Sequence, residues 1–243
     1  MKDYDTSFFY LLATIVASIA VSVPIGVFVH ETGHFIGGRM AGYKFTMMSM
    51  FGLTVSCFYG RLHFRIERKG PPGQCQMHPV TLKQNGTGLI IGGIVANACV
   101  GLTMIVYGVL SCQIYGFIFY TVVGGMNLAL AVQNMLPGSV TNDGSTMRDA
   151  GASPVNMEIY NRLMIIYMLL EEGSTPLEIP EFLFDAPLLW ESALSAELSL
   201  YRYMQVKEKY RYERKGRERI RREYCRLMLY SPETCILEAA NEC

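Results

Sequence analysis

Two long stretches without a charged side chain constrain this sequence more than any other feature. Residues 6–29 and residues 84–142 contain no Asp, Glu, Lys, Arg or His. A helix crosses the hydrocarbon core of a bilayer with about 20 apolar residues, so the first run allows one crossing and the second allows two. The sequence therefore predicts an α-helical membrane protein with three transmembrane helices, at about 8–42, 87–110 and 114–134.

The polar parts of the chain predict two further regions. Residues 45–68 contain partly alternating, β-favouring runs separated by Gly60, which predicts a small membrane-associated β-hairpin or sheet. The following stretch 69–73, KGPPG, is typical of a turn. After Pro137 the pattern is that of amphipathic helices in water. We therefore predict a membrane core in residues 1–150 and a soluble helical domain in residues 151–243.

The distribution of Lys and Arg predicts the orientation. The loop 43–85 carries six of them and the tail after residue 137 carries thirteen, whereas the tip 111–113 has none. Because cytoplasmic loops are enriched in Lys and Arg, we predict an integral, multi-pass protein with its N-terminus outside and its C-terminal domain in the cytoplasm.

The basic stretch 202–226 carries eleven Lys or Arg together with four Glu. Pairs four residues apart, such as Glu218 and Arg222, favour an exposed helical face, so we expect no nucleic-acid partner. Contact with anionic lipid and a protein partner bound to the C-terminal helical domain stay open as alternatives.

The first predicted helix carries an H-E-x-x-H motif, His30-Glu31-Thr32-Gly33-His34. Histidines four residues apart share one helix face and can bind one Zn²⁺, while the glutamate can take a proton from water at the metal. We therefore predict Zn²⁺ as the cofactor, His30 and His34 as ligands and Glu31 as the catalytic base. The alternative is that both histidines only pack in the helix, but ionisable groups within membrane helices are costly and usually functional.

A hydrolytic zinc site commonly has three protein ligands. Asp143 is the first charged residue after the second uncharged run. Helix one ends at one membrane face, helix two leaves that face and helix three returns to it, so Asp143 is expected on the same side as His30 and His34. This predicts Asp143 as the third ligand. The alternative is an ordinary turn formed by Asn142, Asp143 and Gly144.

These motifs together resemble the site-2 protease family of intramembrane zinc metalloproteases, over roughly residues 8–145. The resemblance is carried by H-E-T-G-H at 30–34, Gly93-x-x-x-Asn97, Asn127-Leu128, Asn134-Met135-Leu136-Pro137 and Asp143-Gly144. The chain departs from the family pattern at Ser139, where a second proline is usual, and the stretch from Asn134 to Asp143 is one residue longer than expected.

The resemblance implies zinc ligation by His30, His34 and Asp143, with Glu31 as the general base. In the family, the asparagine before x-x-P helps to position the substrate, which implies that role for Asn134, and we expect Asn97 to contribute to it.

The implied activity is that of a zinc metalloendopeptidase that cleaves a peptide bond in a membrane-embedded protein or peptide. The segment 45–68 is expected to offer a strand edge to the extended substrate. One alternative is a non-proteolytic membrane scaffold that binds a partner through its helical tail, although a scaffold has no use for Glu31. Another is a soluble-type zinc peptidase tethered by helix one, but the uncharged run 84–142 is then hard to place in water.

Overall fold

The computed structural model describes residues 2–58, 60–66, 72–137, 142–189, 192–211 and 216–230. Ser139 and residues 69–71 of the predicted turn lie outside this part of the chain. The fold divides into two compact units. The first consists of Met1–Ala41, Phe45–Cys75 and Thr87–Ser145, and the second of Gly42–Lys44, Gln76–Gly86 and Thr146–Cys243.

Three long helices form most of the first unit. They are α1 (Lys2–Met40), α2 (Thr87–Leu110) and α3 (Ile114–Met135). Each is long and apolar enough to cross a membrane, which confirms the prediction of three candidate transmembrane helices. Helix α1 continues through Pro24. Insertion of these helices into a bilayer, and its direction, stay predictions.

Glycines allow the backbones of α1 and α2 to approach closely. A Cβ atom added to Gly33 would lie 2.4 Å from the carbonyl oxygen of Gly92, and one added to Gly37 would lie 2.0 Å from that of Gly88. Close approach through small residues is how helices pack in lipid, where little hydrophobic driving force acts between them. Large apolar side chains are exposed on the outer faces of the three helices, among them Phe9, Val16, Ile19, Leu102, Val109 and Phe117.

A small sheet follows α1 in the chain. Its strands are β1 (Lys44–Met50), β2 (Leu53–Phe58), β3 (Arg61–Ile66) and β4 (Gly73–His78), in the spatial order β3-β2-β1-β4. The turn between β1 and β2 consists of Phe51 and Gly52, with φ angles of 49° and 83°. Positive φ at both positions is the geometry of a two-residue hairpin turn. The predicted β-structure in 45–68 is confirmed through Ile66, whereas β4 was not predicted.

The hairpin of β2 and β3 has one apolar face. The cross-strand pairs Leu53/Ile66, Val55/Phe64 and Cys57/Leu62 lie on that face. The three β3 members of these pairs are 61–83% exposed. An exposed apolar face is what the predicted association of this sheet with a membrane requires, because water disfavours such a surface.

Helices also dominate the second unit. It contains α5 (Pro154–Glu171), two short 3₁₀ helices (Pro176–Glu178 and Glu181–Phe184), α6 (Ala193–Lys209) and α7 (Arg217–Tyr230). The remaining helix, α4 (Asp143–Gly151), begins in the first unit. A compact apolar core of the second unit includes Ile159, Leu163, Ile166, Leu183 and Leu198. Ser153 caps α5 by accepting a hydrogen bond from the amide of Asn156.

Candidate metal centre

Three side chains from distant parts of the sequence converge in the first unit. His30 and His34 lie on one face of α1, and Asp143 is the first residue of α4. Asp143 Oδ2 lies 3.0 Å from His30 Nε2 and 3.2 Å from His34 Nε2, and the two Nε2 atoms are 3.1 Å apart. His34 is buried and only 8% exposed. This His–His–Asp group could hold a metal ion.

The spacing of the three atoms fits a small divalent cation. Tetrahedral zinc with ligands at about 2.0–2.1 Å places those ligands about 3.3–3.4 Å from one another. The observed separations of 3.0–3.2 Å are close to that edge length. Asp143 Oδ2 is also buried, yet no described residue gives it a hydrogen bond of acceptable geometry. A buried anionic oxygen without a donor is costly, and a cation would remove that cost.

The hydrogen bond of the His34 ring indicates which of its two nitrogens presents a lone pair to the candidate metal centre. His34 Nδ1 lies 2.7 Å from the carbonyl oxygen of Leu89. A carbonyl only accepts hydrogen bonds, so Nδ1 carries a proton, and in the neutral ring Nε2 keeps a lone pair that can bind a cation. On the other ligand, His30 Nδ1 lies 3.3 Å from Asn97 Nδ2. Each imidazole therefore has a polar neighbour behind it, as ligands of metals usually do.

Gly93 of α2 leaves the space that the two imidazoles occupy. A Cβ atom at this position would lie 2.6 Å from His34 Nε2 and 2.7 Å from His30 Cε1. Real Cβ atoms do not approach other atoms so closely. Gly93 belonged to the motif that suggested the family resemblance, and the structure gives a steric reason for a glycine there.

Asn142 and Gly144 hold Asp143 against the end of α3. The Asn142 side chain accepts a hydrogen bond from the amide of Ser145 at 2.9 Å, which caps α4. Its Nδ2 donates to the carbonyl oxygens of Leu136 (2.8 Å) and Gln133 (3.1 Å). A Cβ atom at Gly144 would lie 2.2 Å from the carbonyl oxygen of Met135. The sequence Asn-Asp-Gly is therefore the capped start of a helix, and the alternative of an ordinary turn is not what the structure shows.

The electrostatic surroundings favour the ionised form of Asp143. Burial opposes ionisation, but the rings of His30 and His34, in their protonated form, lower the pKa of Asp143 to about 2. The carboxylate is therefore anionic at neutral pH and offers the charged oxygen that a divalent cation prefers.

Glu31 is buried beside the centre and is covered by the start of β4. It is 6% exposed, and a Cβ atom at Gly73 would lie 2.5 Å from its Oε1. Cys75, also on β4, interacts electrostatically with Glu31. Burial, and then the charge of Glu31, raise the pKa of the Cys75 thiol to about 12, so it stays protonated. The contact of β4 with Glu31 was not predicted, because residues 73–78 carry no pattern typical of a strand.

The two asparagines expected to position substrate lie in different surroundings. Asn97 is fully buried behind His30. Asn134 lies in the last turn of α3, is partly exposed, and donates from Nδ2 to the carbonyl oxygen of Leu130 at 3.0 Å. Comparison of the chain with protein-family models, with curated proteins and with solved structures finds no match.

Proposed function

We propose that this protein is a zinc metalloendopeptidase that cleaves a peptide bond of a membrane-embedded protein or peptide, in the manner of the site-2 protease family. One observation carries the proposal. His30 Nε2, His34 Nε2 and Asp143 Oδ2 converge to within 3.2 Å of one another, beside a buried glutamate. Two imidazoles and one carboxylate are a common ligand set of hydrolytic zinc sites, which leave a fourth position open.

In the proposed reaction, the metal ligands and Glu31 have different roles. Zinc held there would supply Lewis acidity, which polarises a substrate carbonyl and lowers the pKa of water. Glu31, adjacent to His30 in the motif, accepts the proton of the attacking water on its carboxylate and delivers it to the leaving amine nitrogen. The burial of Glu31 keeps bulk water from competing for that proton.

Substrate binding follows from the position of β4. A helical peptide bond must unwind before attack, because its carbonyl is already hydrogen-bonded. Strand β4 is an edge of the sheet, and its first residue, Gly73, packs against Glu31. We place the unwound substrate along β4 as an added strand, which brings its backbone to the carboxylate. This edge lies outside the segment 45–68 that the sequence favoured for the role.

The same proposal includes the orientation of the chain, with three crossings, the N-terminus outside and the C-terminal domain in the cytoplasm. Reporter tags before Met1 and after Cys243 should report opposite faces of the membrane. Both tags on one face would contradict three crossings.

Replacement of Glu31 by Gln tests the proposed activity. The change removes the base and keeps all three ligands, so purified Glu31→Gln should hold as much zinc as the wild type. Cleavage should fall by about 10²–10⁴-fold, the usual contribution of a general base. Since the substrate is not identified, the readout is the set of shortened membrane proteins in cells that express each form.

Three results would distinguish the alternatives. Equal fragments from both forms would refute the role of Glu31. No fragments from either form, with zinc bound, would favour a scaffold. A wild-type protein that binds no zinc would refute the metal centre.

A further inference from the structure

Two buried amide side chains in the helices of the first unit lack a partner for their oxygen. Asn97 of α2 and Asn127 of α3 are both 0% exposed. Their Oδ1 atoms receive no hydrogen bond from the residues that the structure describes. A buried polar atom without a hydrogen bond destabilises the fold by about 1–3 kcal/mol, and the bilayer core contains no water that could supply the missing hydrogen bond.

Helix packing brings the two asparagines to the same level. A Cβ atom at Gly101 would lie 2.9 Å from the carbonyl oxygen of Gly124, and one at Gly108 would lie 2.7 Å from Thr121 Oγ1. These contacts show that α2 and α3 run antiparallel. Asn97 lies one helical turn before Gly101, and Asn127 lies three residues after Gly124, so both side chains come from facing surfaces at one height.

Both asparagines also face the stripe of α1 that carries His30. Asn97 Nδ2 lies 3.3 Å from His30 Nδ1. A Cβ atom at Gly26, one turn before His30, would lie 3.9 Å from Asn127 Oδ1. The Asn97 amide therefore lies beside a candidate metal ligand, and Asn127 Oδ1 lies about one helical turn away along α1, near Gly26.

Metal binding by His30 decides which end of the Asn97 amide faces the ring. His30 Nε2 can bind a cation only through its lone pair, so Nδ1 must then carry the proton and needs an acceptor. Asn97 Nδ2 is a donor and cannot serve. The two orientations of an asparagine amide have nearly the same shape. Turning the Asn97 amide by half a rotation places Oδ1 against Nδ1–H and leaves Nδ2 in need of an acceptor.

We propose that Asn97 and Asn127 form an amide relay that fixes His30 in the tautomer that presents Nε2 to the metal. His30 Nδ1–H donates to Asn97 Oδ1, and Asn97 Nδ2 donates to Asn127 Oδ1. Asn127 Nδ2 donates to the carbonyl oxygen of Val123, at 2.9 Å. The relay gives both unpaired oxygens a donor and ends on the backbone of α3. It makes both asparagines positioning residues, and it rests on the metal centre proposed above.

Zinc titration of the full-length protein in detergent, against a competing chelator, tests the relay. Asn97→Leu and Asn127→Leu should each lower zinc affinity by about 10–100-fold, as the loss of a partner behind a ligand usually does. Asn97→Asp should keep affinity near that of the wild type, because its carboxylate accepts from Nδ1–H without help from Asn127. Adding Asn127→Leu to Asn97→Asp should therefore cause no further loss.

Thr121→Val is the matched control. Thr121 Oγ1 is another buried oxygen of α3 that forms no hydrogen bond with a described residue. It packs against Gly108, away from the histidines. This variant should bind zinc as the wild type does. Wild-type affinity in Asn127→Leu, or a loss that persists in the Asn97→Asp background, would overturn the relay alone. Absence of zinc binding by the wild type would overturn the proposed function and the relay with it.

Discussion

Gly93→Ala is the substitution for which the structure gives the clearest expected magnitude. The added methyl carbon would lie 2.6 Å from His34 Nε2 and 2.8 Å from His30 Nδ1. An ordinary contact begins at 3.4 Å, so the nearer ring nitrogen has to move by about 0.8 Å. Metal–ligand distances lie within about 0.2 Å of their usual values, which is a quarter of that movement.

We therefore expect Gly93→Ala to lower zinc affinity by at least about 100-fold, or about 2.7 kcal/mol. The measurement is a zinc titration of the purified full-length protein against a competing chelator, together with its thermal unfolding. Cleavage should be lost in parallel, because the ligands no longer converge.

Two further glycines of the same helices control for effects on packing. A Cβ atom at Gly125 meets nothing within 4 Å, so Gly125→Ala should leave zinc affinity unchanged and should stabilise the helix slightly. Gly108→Ala adds a methyl 2.7 Å from Thr121 Oγ1, remote from the histidines, and should lower stability without changing zinc affinity. Wild-type zinc affinity in Gly93→Ala would refute the argument that this glycine makes room for the ligands.

Two predictions concern the third ligand and the residue that holds it. Asp143→Asn should lose zinc and activity nearly as completely as Asp143→Ala, because the amide keeps the size but lacks the anionic oxygen that a divalent cation prefers. Full zinc content and activity in the Asn variant, measured side by side with the wild type, would exclude the ligand role. Asn142→Ala should cost about 1–2 kcal/mol through loss of the cap, and it should also weaken zinc binding because the start of α4 is released from α3. Asn142→Asp keeps the oxygen that caps α4 but loses the two N–H donors to the carbonyl oxygens of Gln133 and Leu136. Relative to Asn142→Ala, this variant should therefore regain more stability than zinc affinity. Equal recovery of stability and zinc affinity would show that the hydrogen bonds to α3 do not contribute to zinc binding.

The local part of the site could be predicted from the sequence, because helix geometry alone places residues four apart on one face. His30 and His34 needed no tertiary information. The prediction of Asp143 as a ligand also required counting the membrane crossings between this residue and the H-E-x-x-H motif. The structure places Asp143 beside both histidines. The three helices were predictable for a similar reason, since an uncharged run of that length has few other ways to fold.

Contacts that depend on how elements pack could not be predicted in this way. Nothing in the residues 73–78 indicates a strand, and the packing of Gly73 against Glu31 depends on the return of the chain across the sheet. Asn142 was interpretable as part of a turn, although Ser145 three residues later is compatible with a cap at a helix start. The position of Asn97 beside His30 depends on the crossing of α1 and α2, which no spacing in the sequence reveals.

Charge balance explains why these particular groups can share one buried site. Asp143 and Glu31 would be costly together in their ionised forms in an apolar surrounding, and imidazoles that bind a metal through their lone pairs are neutral and do not offset that cost. A divalent cation compensates the two negative charges, so the complete group of four side chains and one ion is neutral. A monovalent ion would leave one negative charge buried. The ligand set and the adjacent glutamate therefore match a divalent ion in charge as well as in spacing.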